Sequence, residues 1–465
     1  MTIWVPKLRG VGPRYRELAD AIASAIERGE LASGVKLPPQ RRLADALGVT
    51  VGTVTRAYRE VETQGFVDAR VGSGTYVRLQ DGATFAFGNV GSGRESADMI
   101  DLSLALPSPT PERASGMARA LATVASDSAA MDHASDYQPE GGLVAHRERI
   151  THWMESLGLA VDADDLIINQ GGMNGIFLTL SALLGSGERV AAEALSYPGL
   201  ISVAQQLGVR TVPVAFDAEG IDIEALARSH ERQPFAALYL MPEHHNPTTV
   251  QLTEARRRAL VDLARERDFW LIEDGVLYMP PEARGTPLYQ LAPERTIYLF
   301  SMAKILGGGI RSGVMRVPAT IRDRVTSAVQ NLSWMPPPIV ASAACQWIAS
   351  GDADRLLHWQ MEELNARQAM ARDYLGDYAI AAHPCGLYVW LELPEGHRAT
   401  ALVDQLSTRG VRVTSAEAFC VGATAAPQAI RICISAASNR GRLANALSRI
   451  RAALDDPAPV PWQTV

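Results

Sequence analysis

Between Leu166 and Phe300 five short apolar runs alternate with longer stretches of helical periodicity: Leu166-Ile-Ile, Arg189-Val-Ala-Ala, Ala236-Ala-Leu-Tyr-Leu, Trp270-Leu-Ile and Thr296-Ile-Tyr-Leu-Phe. Few folds accommodate that pattern. Strands with little polar alternation belong inside a sheet covered on both faces, and the helices between them supply the crossovers that parallel strands need. The spacing predicts an α/β body: a large, mixed, mainly parallel sheet with helices on both sides. From about Leu356 the texture changes. A charged helix over 360–374 precedes apolar runs at 385–393, 411–413 and 429–434, which predict a smaller α+β subdomain.

The N-terminal part reads differently. Residues 13–28 place Tyr15, Leu18, Ala19, Ile22 and Ile26 on one helical face. A second short helix, Leu37-Pro-Pro-Gln-Arg41-Arg42-Leu-Ala-Asp-Ala-Leu-Gly48, is opened by prolines and stopped by glycine. A third runs from Thr50 to Gln64, and two short strands follow around the glycines of Gly72-Ser73-Gly74. Helix, turn, helix and a two-stranded wing make a head that suits the DNA major groove. Charge agrees. Residues 1–79 hold 12 Lys and Arg against 8 Asp and Glu, whereas the whole chain carries a net charge of −7, so a basic head sits on an acidic body. Between them, 80–100 reads as a linker, and 80–97 within it has four glycines and few apolar residues. The body is then 101–465.

Arginine dominates the basic residues so strongly that one lysine stands apart. The chain has three, Lys7, Lys36 and Lys304, and only Lys304 lies in the body. A guanidinium stays protonated and is a poor nucleophile, whereas a lysine amine freed by burial or a nearby cation attacks carbonyls. Lys304 stands in Ser301-Met-Ala-Lys304-Ile-Leu-Gly-Gly-Gly-Ile-Arg311, where a hydroxyl, three glycines and an arginine suit a phosphate. Gln170-Gly-Gly172-Met173-Asn174 follows a strand and opens a helix, whose free N–H groups make an anion site. Tyr197 could stack on a planar ligand, and Asp274, ending a buried strand, could hold a pyridinium nitrogen protonated. His244-His245 lacks a third ligand at metal spacing, so no metal site is expected.

The stretches LPPQRRLADALGV, TVTRAYREVETQGFV and VGSGTYV resemble the GntR-type winged helix. That resemblance implies that Arg41, Thr50, Thr53, Arg56 and the wing at Gly72, Ser73 and Gly74 contact a double-stranded DNA operator. Gly52 departs from the larger polar residues common at its position. In the body, Tyr137-x-Pro-x-Gly, Gly171-Gly172, Tyr197-Pro, Asn246-Pro-Thr, Asp274, Ser301-x-x-Lys304, Arg311 and Arg431 together resemble the aspartate aminotransferase family of fold type I pyridoxal-phosphate enzymes. The resemblance implies that Lys304 forms the internal aldimine with pyridoxal 5′-phosphate. It implies that Asp274 pairs with the ring nitrogen, Asn246 with the ring 3′-oxygen, and Tyr197 stacks on the ring. Gly172, Met173, Ser301 and Arg311 would hold the phosphate, Tyr137 would reach the neighbouring subunit's phosphate in a homodimer, and Arg431 would clamp an α-carboxylate. One position departs: the family's tyrosine three residues after the aspartate is Leu277 here, with Tyr278 next to it.

The fusion resembles the MocR subfamily of regulators. It implies a regulator that senses pyridoxal phosphate, or a small amino compound as its external aldimine. The competing expectation is a working aminotransferase with an accessory head. Neither a secretory signal nor an apolar run long enough for a bilayer is visible, and the four cysteines share no C-x-x-C spacing, so a cytoplasmic protein with free thiols is expected.

Overall fold

The structure, a computed structural model, describes residues 4–6, 8, 12–27, 30–31, 35–63, 66–70, 74–77, 96 and 98–456. The wing tip at Gly72 and Ser73 and nearly all of the expected linker lie outside these residues.

In the head, helices α1 (Arg14–Glu27), α2 (Gln40–Leu47) and α3 (Val51–Thr63) precede an antiparallel pair, β1 (Val67–Arg70) and β2 (Gly74–Val77). Leu18, Ile22, Leu43, Val54, Ala57, Val61 and Val77 share one small core. Tyr58 is buried in it and donates to Pro38 O at 2.7 Å, which fixes α3 against the entry to α2. Gly48 takes φ +64 at the end of α2, a left-handed cap that suits glycine.

The body is organised by a seven-stranded sheet. It comprises β4 (Leu166–Asn169), β5 (Arg189–Glu193), β6 (Arg210–Val214), β9 (Ala237–Leu240), β10 (Trp270–Asp274), β11 (Thr296–Ser301) and β12 (Gly313–Arg316), in the order β4-β12-β11-β10-β9-β5-β6. A hairpin of β7 (Phe216–Asp217) and β8 (Gly220–Ile221) lies outside it. Only β12 runs against its neighbours. The period-2 geometry of β11 shows why both faces are apolar: Ile297 and Leu299 enter one core, Tyr298 and Phe300 the other. Each apolar run expected as a strand is one.

The second sheet has the order β13 (Ile380–Ala381), β14 (Val389–Glu392), β17 (Ala429–Ile432) and β16 (Thr414–Ser415). The charged helix before it is longer than expected, Asp352–Leu375. The end of the expected linker also needs correction. Ile100–Asp101 form β3, which pairs in parallel with β15 (Val411–Arg412), and Ile100 is only 2% exposed. An isoleucine that fills a core has no place in a flexible tether, so the small subdomain includes residues from before the large sheet as well as after it.

Candidate functional site

Four of the parallel strands end at one crevice, and each delivers a polar residue there, as expected where open parallel sheets present their carboxyl ends. Asp274 closes β10, Ser301 closes β11, Asn246 follows β9, and Tyr197 follows β5. Lys304 sits in the single helical turn after β11, whose first hydroxyl, Ser301 Oγ, accepts from Ala303 N at 3.2 Å.

Lys304 is partly buried, and its Nζ donates to Ala105 O at 2.5 Å. Desolvation draws its amine from 10.5 down to about 8, with Arg431 and Arg311 acting in the same direction. Asp274 is 4% exposed, and burial raises its pKa. Two donors oppose that rise: the Tyr239 hydroxyl, and Val276 N at 2.9 Å. Among the described residues no ion pair engages Asp274. A buried carboxylate held by neutral donors, close to a depressed lysine, fits a protonated ring nitrogen.

Gly171, at φ +88, precedes the helix Gly172–Leu183, whose first turn has no side-chain cap. A Cβ at Gly171 would lie 3.3 Å from Arg311 Nη2, and one at Gly172 would lie 2.8 Å from Val276 Cγ2. Arg311 itself bonds Gln170 O at 2.8 Å. Uncapped N–H groups with a guanidinium beside them make a fitting cradle for a phosphate. Tyr197 leans over the next helix start: a Cβ at Gly199 would lie 2.2 Å from Tyr197 Cε1 and 2.4 Å from Met173 Sδ. Only glycine lets the tyrosine ring and Met173 lie so close to that turn.

Arg431, on β17, enters from the small sheet. It donates to Asn246 Oδ1 at 2.7 Å and to Ser103 O at 2.6 Å, and its plane is flanked by Phe419 at 4.7 Å and Tyr388 at 5.5 Å. Its buried Nε has no acceptor, so the guanidinium retains capacity for a carboxylate.

Two residues important to this geometry carry no sequence signal of their own. Tyr239 reads as one more apolar strand residue, and Ser103 belongs to a stretch without a motif. Leu277 is buried at 5% exposure, and Tyr278 does not take the family tyrosine's place: it lines a separate small cavity with Glu243, Glu273 and Arg284. The adjacent histidines have structural partners. His245 bonds Thr248 Oγ1 at 2.6 Å and Leu195 O at 3.0 Å, while the His244 ring lies 4.8 Å from that of Tyr388. Burial pushes them down to about 3 for His244 and about 4 for His245, so both stay neutral. Tyr137 is not brought to the crevice of its own chain. It is 81% exposed and packs edge-on against Trp334.

In the head, Arg41 is exposed on α2, and Thr50 caps α3 by accepting from Thr53 N at 3.1 Å. The Thr50 and Thr53 hydroxyls lie 2.9 Å apart. Arg56 stacks on the Tyr15 ring at 3.8 Å. Gly74 begins β2 at φ +118, against the Lys36 side chain.

Residues 108–450 match the family of class I and II aminotransferases, and residues 14–77 match the gntR family of bacterial regulatory proteins. The chain belongs to the class I and II aminotransferase family, whose cofactor is pyridoxal phosphate, and carries a gntR-type head, which is the MocR arrangement. It is 28% identical over 461 residues to YdeF of Bacillus subtilis, an uncharacterised HTH-type transcriptional regulator, with 97% of each chain covered. It is likewise 28% identical to the pyridoxine biosynthesis regulator PdxR of Corynebacterium glutamicum, over 78% of each. Among solved structures, an archaeal alanine:glyoxylate aminotransferase superposes with a TM-score of 0.72 at 22% identity, covering 81% of this chain and 95% of that one. That likeness establishes the fold. No described helix is long and apolar enough to cross a membrane.

Proposed function

We propose that this protein is a pyridoxal 5′-phosphate-dependent transcriptional regulator. Its head binds a double-stranded DNA operator, and its body takes the cofactor together with a small amino compound as the signal. The observation that carries the reading is the union, in one chain, of a gntR-type winged helix with a crevice that gathers Lys304, Asp274, Asn246 and Arg431. The protein would act in the cytoplasm, where its DNA lies, and as a homodimer in which Tyr137 reaches the partner's phosphate cradle.

In this reading Lys304 holds the cofactor covalently, Asp274 its ring nitrogen and Asn246 its ring oxygen. Tyr197 lies against the ring, and Gly172, Met173, Ser301 and Arg311 hold the phosphate. When bound, the cofactor supplies an electrophilic carbonyl and a cationic ring that withdraws electrons. The chain's own residues prepare for it. Lys304 is neutral in a useful fraction near neutral pH because it is desolvated beside two arginines. Tyr239 and Val276 N keep Asp274 charged in a place where burial alone would neutralise it. Arg431, already oriented by Asn246 and the two aromatic rings, exchanges a backbone carbonyl for an α-carboxylate. Phe419 and Tyr388 exclude water from that exchange.

An aminotransferase with an accessory head would use the same residues, and their completeness favours keeping that second reading. One experiment separates the two. Duplexes are selected from a random pool by the full-length protein loaded with pyridoxal phosphate. Affinity for the selected duplex is then measured with and without a pool of L-amino acids, beside transfer of their amino groups to 2-oxoglutarate. Specific binding that responds to amino acids supports the regulator. Fast transfer with no sequence-specific binding would leave only the enzyme.

A further inference from the structure

The segment arriving from the head does not simply dock on the body; it crosses the ligand crevice. Its first part is bonded to the small subdomain. Ile100 N donates to Gly410 O, Leu102 N to Arg412 O, and Cys433 N to Leu102 O, each at 2.8 Å. Asp101 pairs with Arg412 at 3.1 Å, and Arg442 holds Ser96 O and Met99 O at 2.8 and 3.0 Å. Its later part is bonded to the large domain. Arg113 clasps Ser108 O at 2.6 Å and reaches Gln360 at 2.9 Å, and Gln360 in turn holds Lys304 O at 2.6 Å. Between these anchorages, Ser103 O accepts from Arg431 at 2.6 Å and Ala105 O accepts from Lys304 at 2.5 Å. The two side chains assigned to the amino compound and the cofactor are the two that hold the segment across the gap.

We propose that Asp101–Ala105 is a strap that competes with ligand for Arg431 and Lys304, and that ligand binding unlatches it and so moves the anchor of the DNA-binding head. The chemistry of displacement is simple. A carboxylate is a stronger acceptor for a guanidinium than the Ser103 carbonyl is, and a lysine that carries the cofactor no longer has an ammonium proton set to bond Ala105 O. Once both bonds are lost, the small subdomain is freed from the latch across the crevice. β3 travels with it, because its backbone bonds run to β15 and Cys433 rather than to the large sheet. The tether to the head begins just before β3, so its origin follows the subdomain that carries Arg431. An element with two arrangements, each favoured by different contacts, is what allosteric control requires.

Asp101 offers a way to disturb the strap without touching a side chain of the crevice. Its Oδ1 accepts from Ser103 N at 3.0 Å and from Ser103 Oγ at 2.6 Å, which sets the turn that presents Ser103 O to Arg431. Thr414 Oγ1 supports the same carbonyl at 3.0 Å.

The inference rests on the proposed regulator, and the test keeps the two apart. Amide hydrogen exchange is followed in the full-length protein with pyridoxamine 5′-phosphate, which lacks a carboxylate. It is compared with the tightest binder among a panel of N-(5′-phosphopyridoxyl)-L-amino acids. The expected result is about tenfold faster exchange in peptides spanning 103–107 with the carboxylate-bearing probe, while amides 100–102 keep their protection. In parallel, Asp101→Ala should bring the probe-induced change in duplex affinity to within about twofold of none, whereas Asp101→Asn, which keeps an acceptor for Ser103 N, should retain it. Unchanged exchange at 103–107 with a bound probe that still alters duplex affinity overturns the strap and leaves the regulator standing. A full response in Asp101→Ala also overturns it. A panel with no binder defeats carboxylate capture, and the strap with it. A bound probe that frees 103–107 but never alters duplex affinity supports unlatching and defeats the regulator.

Discussion

Arg431 Nη1 lies 2.7 Å from Asn246 Oδ1, a bond that joins β17 of the small sheet to the loop after β9 of the large one. With its oxygen engaged, the Asn246 amide has its NH₂ left to donate into the crevice. The half of the site that would read a carboxylate thus orients the half that would read the cofactor ring. Arg431→Ala should therefore have two effects of unequal size. Losing one charge-assisted bond to Asn246 should weaken pyridoxal phosphate by about tenfold or less. The response of duplex affinity to amino acids should vanish altogether. Both are measured on one preparation, by absorbance titration and by duplex binding. An undiminished amino-acid response would show that the signal carries no carboxylate for Arg431.

Lys304 is the body's one lysine, so covalent capture has a clean readout. Borohydride reduction of the pyridoxal phosphate complex should leave the label on a peptide containing Lys304 alone, and Lys304→Ala should take up none. Label on Lys7 or Lys36 would refute the assignment.

The rate of that capture should depend on pH in a defined sense. Only the neutral amine attacks a carbonyl, and the Lys304 amine is drawn from 10.5 to about 8, chiefly by desolvation. The initial rate of colour development should rise with pH below about 8 and level off above it. A rate still climbing about tenfold per pH unit near 10 would belong to an ordinary solvated lysine.

How much of this was legible from residues alone follows their spacing. The strands from Leu166 to Phe300 announce themselves because each is buried on both faces, so the apolar run is nearly continuous. The crevice residues stand at strand ends, where Asp274, Ser301 and Asn246 interrupt those runs. What stayed hidden is long-range. β3 is two residues long and finds its partner at Val411, far along the chain, and no local pattern encodes that pairing. The Ser103 and Ala105 carbonyls are backbone groups and leave no trace in composition. Tyr239 is hidden because a tyrosine inside an apolar strand looks the same whether its hydroxyl meets water or a carboxylate.

Tyr239→Phe isolates that hydroxyl. Its bond to Asp274 opposes the upward push of burial, so removing it should raise the Asp274 pKa further. The sign follows: attraction between the carboxylate and a protonated ring nitrogen is present above the Asp274 pKa and is lost as pH falls through it. The acid limb of cofactor affinity should therefore move to higher pH in the variant, with little change in thermal stability of the cofactor-free protein beyond about 1 kcal/mol. Superimposable pH profiles for the variant and the wild type would remove Tyr239 from the site.

The head makes a prediction that separates holding DNA from reading it. Arg41 is exposed at the start of α2, whereas the side chains at the start of α3 already have work within the head. Thr50 spends its oxygen on the Thr53 N–H, and Arg56 lies over Tyr15, an arrangement worth about 0.5–1 kcal/mol when exposed. Arg41→Ala should therefore weaken all duplexes alike and make the logarithmic salt slope shallower by about 0.9, the signature of one lost phosphate contact. Thr50→Ala should cost α3 about 1 kcal/mol through its cap, visible in thermal unfolding without DNA, and Thr50→Ser should restore it. Arg56→Ala should act in neither way. It should leave the salt slope and the melting temperature nearly in place and change the ranking of duplexes, because a guanidinium that leaves Tyr15 for a base edge carries about 1–3 kcal/mol of discrimination. These are measured by salt-dependent binding to the selected duplex and to single-base variants of it. If Arg56→Ala preserves both affinity and ranking, α3 is not the helix that reads the operator.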